Sequence, residues 1–316
     1  MPRDSVTTAQ YAIEHVTRYV HAERAFTSHH VTYLQPRRLP RQAVLTHHVE
    51  VTPEAADRHG RVDYFGNDVE QFDVLTPYKI LQVTGRSTVA IATRETSIDR
   101  MASPRWEQAR SVVADGGGAP EDRVRELTFA SPYVEVSDEL AAFAAASFAP
   151  DRPLVDAAMD LMARIHDTFT FDPSATTITT PISRVLELRQ GVCQDFAHLQ
   201  IGCLRALGLA ARYVSGYLLT NPPPGQPRLQ GADASHAWLS VFCPENGWVD
   251  LDPTNNLLPD EQHITLAWGR DYGDVSPVRG VVLGGGKHVL HVGVNVVPLD
   301  PDALQTQTQS QGVTDH

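Results

Sequence analysis

The sequence predicts an α+β fold, in which a β-rich N-terminal domain precedes a second domain of helices followed by strands. Alternating apolar and polar residues dominate the first part of the chain, whereas apolar residues three and four positions apart dominate its middle. The chain has 316 residues, 42% of them hydrophobic, which is enough for about two domains with real cores. We therefore expect a β-rich domain at 1–95, a linker at 96–135, the second domain at 136–298 and a disordered tail at 299–316.

Strands of the N-terminal domain are predicted by their period of two. The stretch "VLTHHVEV" and the stretch "KILQVTGRSTVAI" both read as strands with one buried face. Gly66 and Asn67 separate two runs of apolar and aromatic residues, which is typical of a hairpin turn. The buried face of the second stretch is expected to carry Leu81, Val83, Val89 and Ile91.

Two segments carry no regular pattern. The glycine-rich "DGGGAPED" at 115–122 cannot maintain a helix or strand by itself, so we place the linker around it. The final "QTQTQSQGVTDH" is polar and of low complexity, which predicts disorder.

The second domain begins with helices. Ser137 is expected to cap "DELAAFAAASF", and "PLVDAAMDLMARIHDTF" has an apolar stripe at helical spacing. A further helix begins at Cys193 and ends near Gly208, a residue type that favours helix C-termini. Three strands are predicted after it, in "AARYVSGYLL", "HAWLSVFC" and "GWVDLDP".

Composition excludes several classes of function. The net charge is −12, and the longest basic cluster is the "PRR" that contains Arg37 and Arg38, so we expect no binding to nucleic acid. The sequence has no apolar segment long enough for a signal peptide core or a membrane helix, so we expect a cytoplasmic protein without a membrane partner. Three cysteines do not suggest a disulfide framework, and we expect reduced thiols.

Cys193 in "GVCQDFAHL" is the first candidate for catalysis. A free cysteine is more often a small buried hydrophobe than a nucleophile. A helix N-terminus, however, favours negative charge and lowers the pKa of a thiol, and its free N–H groups can bind the oxyanion formed when an amide carbonyl is attacked. The placement of Cys193 therefore permits nucleophilic chemistry.

A nucleophile of this kind needs a base and a group that orients the base. His236 begins the apolar strand "HAWLSVF", and Asp252 ends the next strand in "GWVDLDPTNN". Each also has a structural interpretation, as a satisfied core histidine and as a turn aspartate. Neighbouring antiparallel strands can bring the start of one beside the end of the other, so the pair is geometrically plausible.

Together these motifs resemble those of the transglutaminase-like superfamily. The segments "GVCQDFAHL", "ARYVSGYL", "SHAWLSVF", "GWVDLDPTNN" and "GRDYGDVSPVRG" are similar to motifs of its bacterial members, and "HVTRYVH" and "VDYFGNDVEQFDV" are similar to their β-rich N-terminal region. The resemblance implies a papain-like core with Cys193 as nucleophile, His236 as general base and acid, and Asp252 as the residue that orients the imidazole. Asp250 is the second choice for the carboxylate, and Gln190 and Gln194 are nearby candidates for a second oxyanion donor.

The expected activity is cleavage of peptide or protein amide bonds through a thioester acyl-enzyme, by a cysteine peptidase or amidase without a cofactor. Transfer of the acyl group to an amine, as in a transglutaminase, and a non-catalytic scaffold are the alternatives. A metal hydrolase using Cys193, Asp195, His198 and His236 is disfavoured, because positions 193 and 198 do not share a helix face well. The glycine-rich "VLGGGKHVL" lacks the complete phosphate-loop pattern and is expected to be a turn between strands.

Overall fold

The N-terminal part of the chain is an antiparallel sheet built on one long strand. A computed structural model describes residues 8–92, 102–116, 121–220 and 235–299. The strands are β1 (Thr8–Thr32), β2 (Gln42–Thr52), β3 (Asp57–Val62), β4 (Asp68–Val74) and β5 (Tyr78–Ala92). Their order in the sheet is β2-β5-β1-β4-β3, which confirms the β-rich prediction.

The predicted hairpin turn joins β3 to β4. Gly66 adopts φ +76°, a conformation that glycine reaches without steric cost, and the Asp63 carboxylate accepts the backbone N–H groups of Phe65 and Asn67. The Asn67 side chain also donates to the carbonyl of Trp268 and accepts the Trp268 N–H. The turn therefore attaches the first sheet to the second part of the molecule.

The second part combines helices with an antiparallel sheet, as predicted. The sheet order is β10-β9-β8-β11, and β6 pairs with β7 in a separate two-stranded ladder. The helices are α3 (Asp138–Ala145), α4 (Leu154–Thr168), α5 (Ile182–Leu188), α6 (Cys193–Ala206) and α7 (Tyr272–Val275). The strands are β6 (Thr170–Phe171), β7 (Gln190–Gly191), β8 (Ala211–Leu218), β9 (Ser235–Cys243), β10 (Gly247–Leu251) and β11 (His263–Gly269).

The stretch expected to be a linker contains two helices in the structure, α1 (Trp106–Asp115) and α2 (Glu121–Glu126). Helix α1 buries Ala109 and Val113, which lie four positions apart on one face, and the Trp106 indole donates to the carbonyl of Ala149. With only two buried positions, the apolar pattern of α1 is too short to be recognised as helical from the sequence. Positions 117–120 of the glycine-rich stretch, and 300–316 of the tail, lie outside the described residues.

The end of the chain returns to the first sheet. Strands β12 (Val278–Gly284) and β13 (His288–Leu299) both pair with β1, although the expected second domain extends to residue 298. The reason is the length of β1: its 25 residues present more backbone N–H and C=O groups than β4 and β5 can pair. The glycine-rich "VLGGGKHVL" forms the turn between the two strands, with Gly284, Gly285 and Gly286 at positive φ.

One hydrophobic core joins the two parts. Ile13 and Val294 of the first sheet belong to the same buried cluster as Leu199 of α6 and Leu239 of β9. His15 of β1 also hydrogen-bonds to the Tyr217 hydroxyl of β8, at 3.0 Å. The N-terminal sheet is therefore packed directly on the second part. No helix in the described ranges is long and apolar enough to cross a membrane.

Candidate active site

Cys193 is the first residue of α6, as the sequence predicts. Val192 precedes it in an extended conformation and has no side-chain acceptor for the helix start. The first N–H groups of a helix lack intrahelical partners, so the amides of Cys193 and Gln194 remain potential oxyanion donors. The side chain of Cys193 is partly exposed to a cleft.

Asp195 fixes the start of this helix. Its carboxylate accepts the backbone N–H of Val192 at 2.9 Å and the hydroxyl of Thr176 at 2.6 Å. A β-carbon on Gly191 would lie only 2.7 Å from Asp195 Oδ2, so the glycine makes room for the carboxylate. The motif "GVCQD" thus encodes a rigid helix start that carries the thiol.

His236 is the second residue of β9 and lies beside Cys193. It is 9% exposed, and its Nε2 is 2.7 Å from Oδ2 of Asp252. The imidazole also hydrogen-bonds to the Cys193 side chain, for which Nδ1 is the nitrogen that remains. Thiol, imidazole and carboxylate therefore form a continuous chain, in which Nε2 contacts Asp252 and Nδ1 is left for Cys193.

Asp252 follows β10 directly and is completely buried. Besides His236, its Oδ2 is 2.7 Å from Nδ2 of Asn255 and 3.2 Å from Nε2 of His263. Its Oδ1 accepts the backbone N–H groups of Thr254 and Asn255. Five contacts to one carboxylate immobilise it in the ionised form, because hydrogen bonds to a charged group favour that form.

His236 and Asp252 therefore remain charged although both side chains are buried. Burial lowers the pKa of His236, but its hydrogen bonds to Asp252 and Cys193 outweigh burial and raise that pKa to about 10. Burial raises the pKa of Asp252, but the bonds from His236 and His263 outweigh it and hold that pKa well below its usual range. At neutral pH the pair is an imidazolium and a carboxylate.

Asp250, the second choice for the carboxylate, has a different partner. It lies opposite Ser240 in the register of β9 and β10 and accepts the hydroxyl of that residue. The guanidinium of Arg212 donates to the same hydroxyl. The structure thus brings Asp252, rather than Asp250, to His236.

His263 was missed by the sequence reasoning. It begins β11, is 5% exposed, and faces Asp252 with Nε2 and Asp260 with Nδ1, the latter at 3.3 Å from Oδ1. Burial lowers its pKa, but the hydrogen bonds to Asp252 and Asp260 prevail and raise it. The available signal was "HITLAW", which, like "HAWLSVF", places a histidine at the start of an apolar strand.

A metal ion could be held by one ligand atom from each of His236, Asp252 and His263, since these atoms lie within 4.8 Å of one another. Of the metal ligands considered from the sequence, Cys193 and His236 are brought together, whereas Asp195 and His198 have other partners. Asp195 caps α6, and Nε2 of the buried His198 accepts the backbone N–H of Tyr272.

A cavity of about 240 Å³ opens beside Cys193 and His236. The second part contributes Tyr213 and Tyr272 to its lining, and the N-terminal sheet contributes further lining residues. Gln194 also lines it, although its side-chain amide lies 3.4 Å from the carbonyl of Ile178. Gln190, the other oxyanion candidate, is not among the described residues that line this cleft.

The motif "GRDYGDV" fixes Tyr272 at the cleft. Arg270 forms a two-pronged ion pair with Asp274, with both nitrogen–oxygen distances at 2.9 Å. Asp271 accepts the backbone N–H groups of Tyr133 and Gly273. These charged residues organise the loop, and only the tyrosine of the motif reaches the cleft.

The other two cysteines lie in the core. Cys203 and Cys243 are both fully buried, and burial raises the pKa of Cys203 to about 12. Cys193 is the one thiol that lines the cleft.

Two family models match this chain. Residues 141–253, which include the thiol, imidazole and Asp252, match the model of the transglutaminase-like superfamily. Residues 11–90 match the bacterial transglutaminase-like N-terminal region.

Similar proteins and a solved structure cover most of the chain. The uncharacterised Mycobacterium tuberculosis protein Rv2569c is 41% identical over 304 residues, which cover 94% of this chain and 95% of that protein. A protein-glutamine gamma-glutamyltransferase of Pseudomonas aeruginosa is 32% identical over 122 residues, or 35% of this chain and 18% of that protein. A Cytophaga hutchinsonii structure, provisionally assigned as a cysteine protease, superposes with a TM-score of 0.72 at 21% identity, covering 94% of this chain and 92% of that one.

Proposed function

Because this chain belongs to the transglutaminase-like superfamily, we propose that it is a cysteine-dependent hydrolase of amide bonds in peptides or proteins, with Cys193, His236 and Asp252 as its catalytic triad. The observation that carries the proposal is the unbroken contact from the Cys193 thiol through the His236 ring to the buried Asp252 carboxylate. Such a chain is what nucleophilic acyl transfer requires of a nucleophile, a base and an orienting group.

In the proposed reaction the Cys193 thiolate attacks the amide carbonyl carbon, and the developing oxyanion is bound by N–H groups at the start of α6. The C–N bond then breaks, and the His236 imidazolium gives its proton to the leaving amine. The product is a thioester on Cys193. His236, now neutral, takes a proton from water, and the water oxygen forms a C–O bond to the thioester carbonyl carbon. The C–S bond then breaks, which releases the carboxylic acid product and regenerates the Cys193 thiolate and the His236 imidazolium.

Water is favoured over an amine as the second substrate by the charge of the cleft. A lysine arrives as an ammonium ion at neutral pH, and a carboxylate near the thiol would attract it. The described residues that line the cleft include no aspartate and no glutamate. Hydrolysis is therefore the reaction that this lining supports best.

Acyl transfer to amines is the second candidate. It is favoured by the local similarity to the Pseudomonas aeruginosa protein-glutamine gamma-glutamyltransferase over 122 residues. Both reactions share the acyl-enzyme, so they differ only in what attacks the thioester.

The test is incubation of the full-length protein with a library of glutamine-containing peptides, with and without a primary amine, followed by mass spectrometry. We expect products that have gained the elements of water, in equal yield in both arms, and none from Cys193→Ala. Cys203→Ala is the matched control, because that thiol is buried away from the cleft and should leave the activity intact.

Two other results would change the proposal. Amine adducts that dominate whenever the amine is present would make the protein a transglutaminase. An intact wild-type protein that modifies no peptide, and whose Cys193 reacts with iodoacetamide no faster than free cysteine, would support the scaffold alternative.

A further inference from the structure

Two cross-strand pairs of the N-terminal sheet form one part of the cleft lining. Tyr19 of β1 lies opposite Leu290 of β13, and Thr17 lies opposite Val292. All four residues line the same cavity as Cys193 and His236. The N-terminal sheet therefore lines the same cavity into which the thiol opens.

This wall continues the core face of β13. Residues two apart on a strand share a face, and on this face Val294 and Val296 are 1% and 0% exposed, within the core common to both sheets. Leu290 and Val292 extend the same row but are 46% and 51% exposed. An apolar stripe thus runs out of the core and into the cleft, where nothing in the described part of the chain covers it.

Apart from the Cys193–His236 pair, the rest of the cleft lining is neutral. Its described lining contains no aspartate, glutamate, lysine or arginine, and burial lowers the pKa of His15 to about 4, so that this ring is uncharged at neutral pH. A charged group placed here would lose its hydration without gaining a partner, which is costly. An apolar group would instead cover surface that is now exposed to water.

We propose that Leu290 and Val292, with Tyr19, form a specificity wall that selects an acyl donor with an apolar side chain next to the scissile carbonyl. This inference rests on the proposed function, since it concerns the substrate of the same thiol. The cavity of about 240 Å³ is smaller than the roughly 300–1,000 Å³ typical of drug-sized ligands. It suits one side chain rather than an extended segment.

The test uses activated esters, which need only the acylation step. Cys193 sulfur attacks the carbonyl of an N-acetyl-amino-acid p-nitrophenyl ester, a C–S bond forms, the C–O bond breaks, and p-nitrophenolate leaves with the negative charge. The N-acetyl-leucine and N-acetyl-aspartate esters are compared by the rate of p-nitrophenolate release and by the mass of the acylated Cys193 peptide. Each rate is divided by the rate of the same ester with free mercaptoethanol.

The wild-type protein should prefer the leucine ester by roughly 10- to 200-fold, the discrimination that apolar pockets reach. Leu290→Asp and Val292→Asp should each remove most of this preference, and Leu290→Lys should raise the rate with the aspartate ester. Val289→Asp is the matched control, because Val289 is 58% exposed, adjacent in sequence and absent from the cleft lining. It should keep the wild-type preference, and all variants should keep the wild-type melting temperature.

The outcomes separate the two proposals. If both esters acylate Cys193 at equal normalised rates, or if Val289→Asp changes the preference as much as Leu290→Asp, the specificity wall is wrong while the nucleophile stands. If neither ester acylates Cys193 faster than mercaptoethanol reacts, the proposed function itself fails. A leucine preference lost only in the Leu290 and Val292 variants supports the wall.

Discussion

The two sheets that meet at the cleft differ in what they contribute to it. The second sheet supplies His236, and the residues around it, Asp252 and His263, are nearly or completely buried and connected by hydrogen bonds. The N-terminal sheet supplies Leu290 and Val292, which are apolar and about half exposed. Buried charge needs fixed partners, whereas an apolar surface needs only something to cover it.

This contrast indicates that the reactivity of the thiol and the choice of substrate depend on different parts of the fold. Changes in the hydrogen-bonded corner, which consists of His236, Asp252 and His263, should affect the rate with every substrate, because they alter the nucleophile and its base. Changes in the N-terminal wall should affect the choice of substrate and leave the intrinsic reactivity of the thiol intact.

The largest effect is expected for the nucleophile. Cys193→Ala should lower kcat by about 10⁶, as removal of the nucleophile does in comparable triads, while Cys203→Ala should be neutral. Peptide mapping after iodoacetamide treatment at neutral pH should show Cys193 labelled first, since Cys203 and Cys243 are fully buried. Preferential labelling of Cys243 would place the reactive thiol outside the cleft and break the comparison.

The next effect concerns the carboxylate. Asp252→Asn should keep the fold but lower kcat/KM by up to about 10⁴, the loss seen when a serine triad loses its aspartate. A smaller loss also agrees with the assignment, because in a preformed thiolate–imidazolium pair the carboxylate orients the ring more than it raises its basicity. Asp250→Asn is the matched control, because Asp250 interacts with Ser240 and not with His236. Both variants are compared after circular dichroism shows that they are folded at the temperature and pH of the assay. A defect confined to Asp250→Asn would contradict the assignment, and two neutral variants would reduce the triad to a Cys193–His236 dyad.

A smaller effect is expected for His263, which contacts the Asp252 carboxylate. His263→Leu removes one hydrogen bond to a charged group, worth about 1.5–3 kcal/mol, so kcat/KM should fall by roughly 10- to 150-fold. His263→Gln should recover most of the rate, because its amide can donate to Asp252. The leucine preference should be unchanged in both variants, and a change in that preference would show that the two sheets are not separable.

The pH dependence of stability tests the same corner. Because folding raises the pKa of His236 to about 10 from 6.5, its contribution is full below pH 6.5 and is lost as the pH rises through 10. Because folding lowers the pKa of Asp252, its contribution is full above pH 3.8 and is lost as the pH falls. Urea unfolding should therefore show the largest stability difference between wild type and Asp252→Asn between pH 4 and 6.5. A difference independent of pH up to 10 would contradict the charged pair.

No effect is expected from chelation. A thiolate and an imidazole need no ion, so activity should be retained after incubation with EDTA. Reversible loss, restored by zinc, would show that His236, Asp252 and His263 hold a metal. The hydrogen-bonded corner would then be a metal site, and its comparison with the apolar wall would need a different basis.

Several features follow from short stretches of sequence. The α+β class, the hairpin at Gly66–Asn67, the start of α6 at Cys193 and the glycine turn before β13 all appear where the pattern predicts them. The family resemblance is confirmed as well. Each of these depends on residues within a few positions of one another.

The hydrogen-bonded corner follows only partly from short stretches of sequence. Asp250 lies within β10 and Asp252 directly follows that strand, and the residue pattern alone leaves both as candidates for the catalytic carboxylate. What distinguishes them is the register of β9 and β10, which places Asp250 opposite Ser240 and leaves Asp252 beyond the strand, next to His236. His263 reaches the same carboxylate because β11 pairs with β8.

The sequence by itself determined the elements and the candidate chemistry, because helix starts, turns and strand faces depend on local backbone sterics and on the spacing of apolar side chains. Only the tertiary structure decided that β13 returns to β1 and that Leu290 and Cys193 line the same cleft. Pairing between Tyr19 and Leu290 joins positions far apart in the chain. It is selected by the burial of a shared core, to which residues from both ends of the chain contribute.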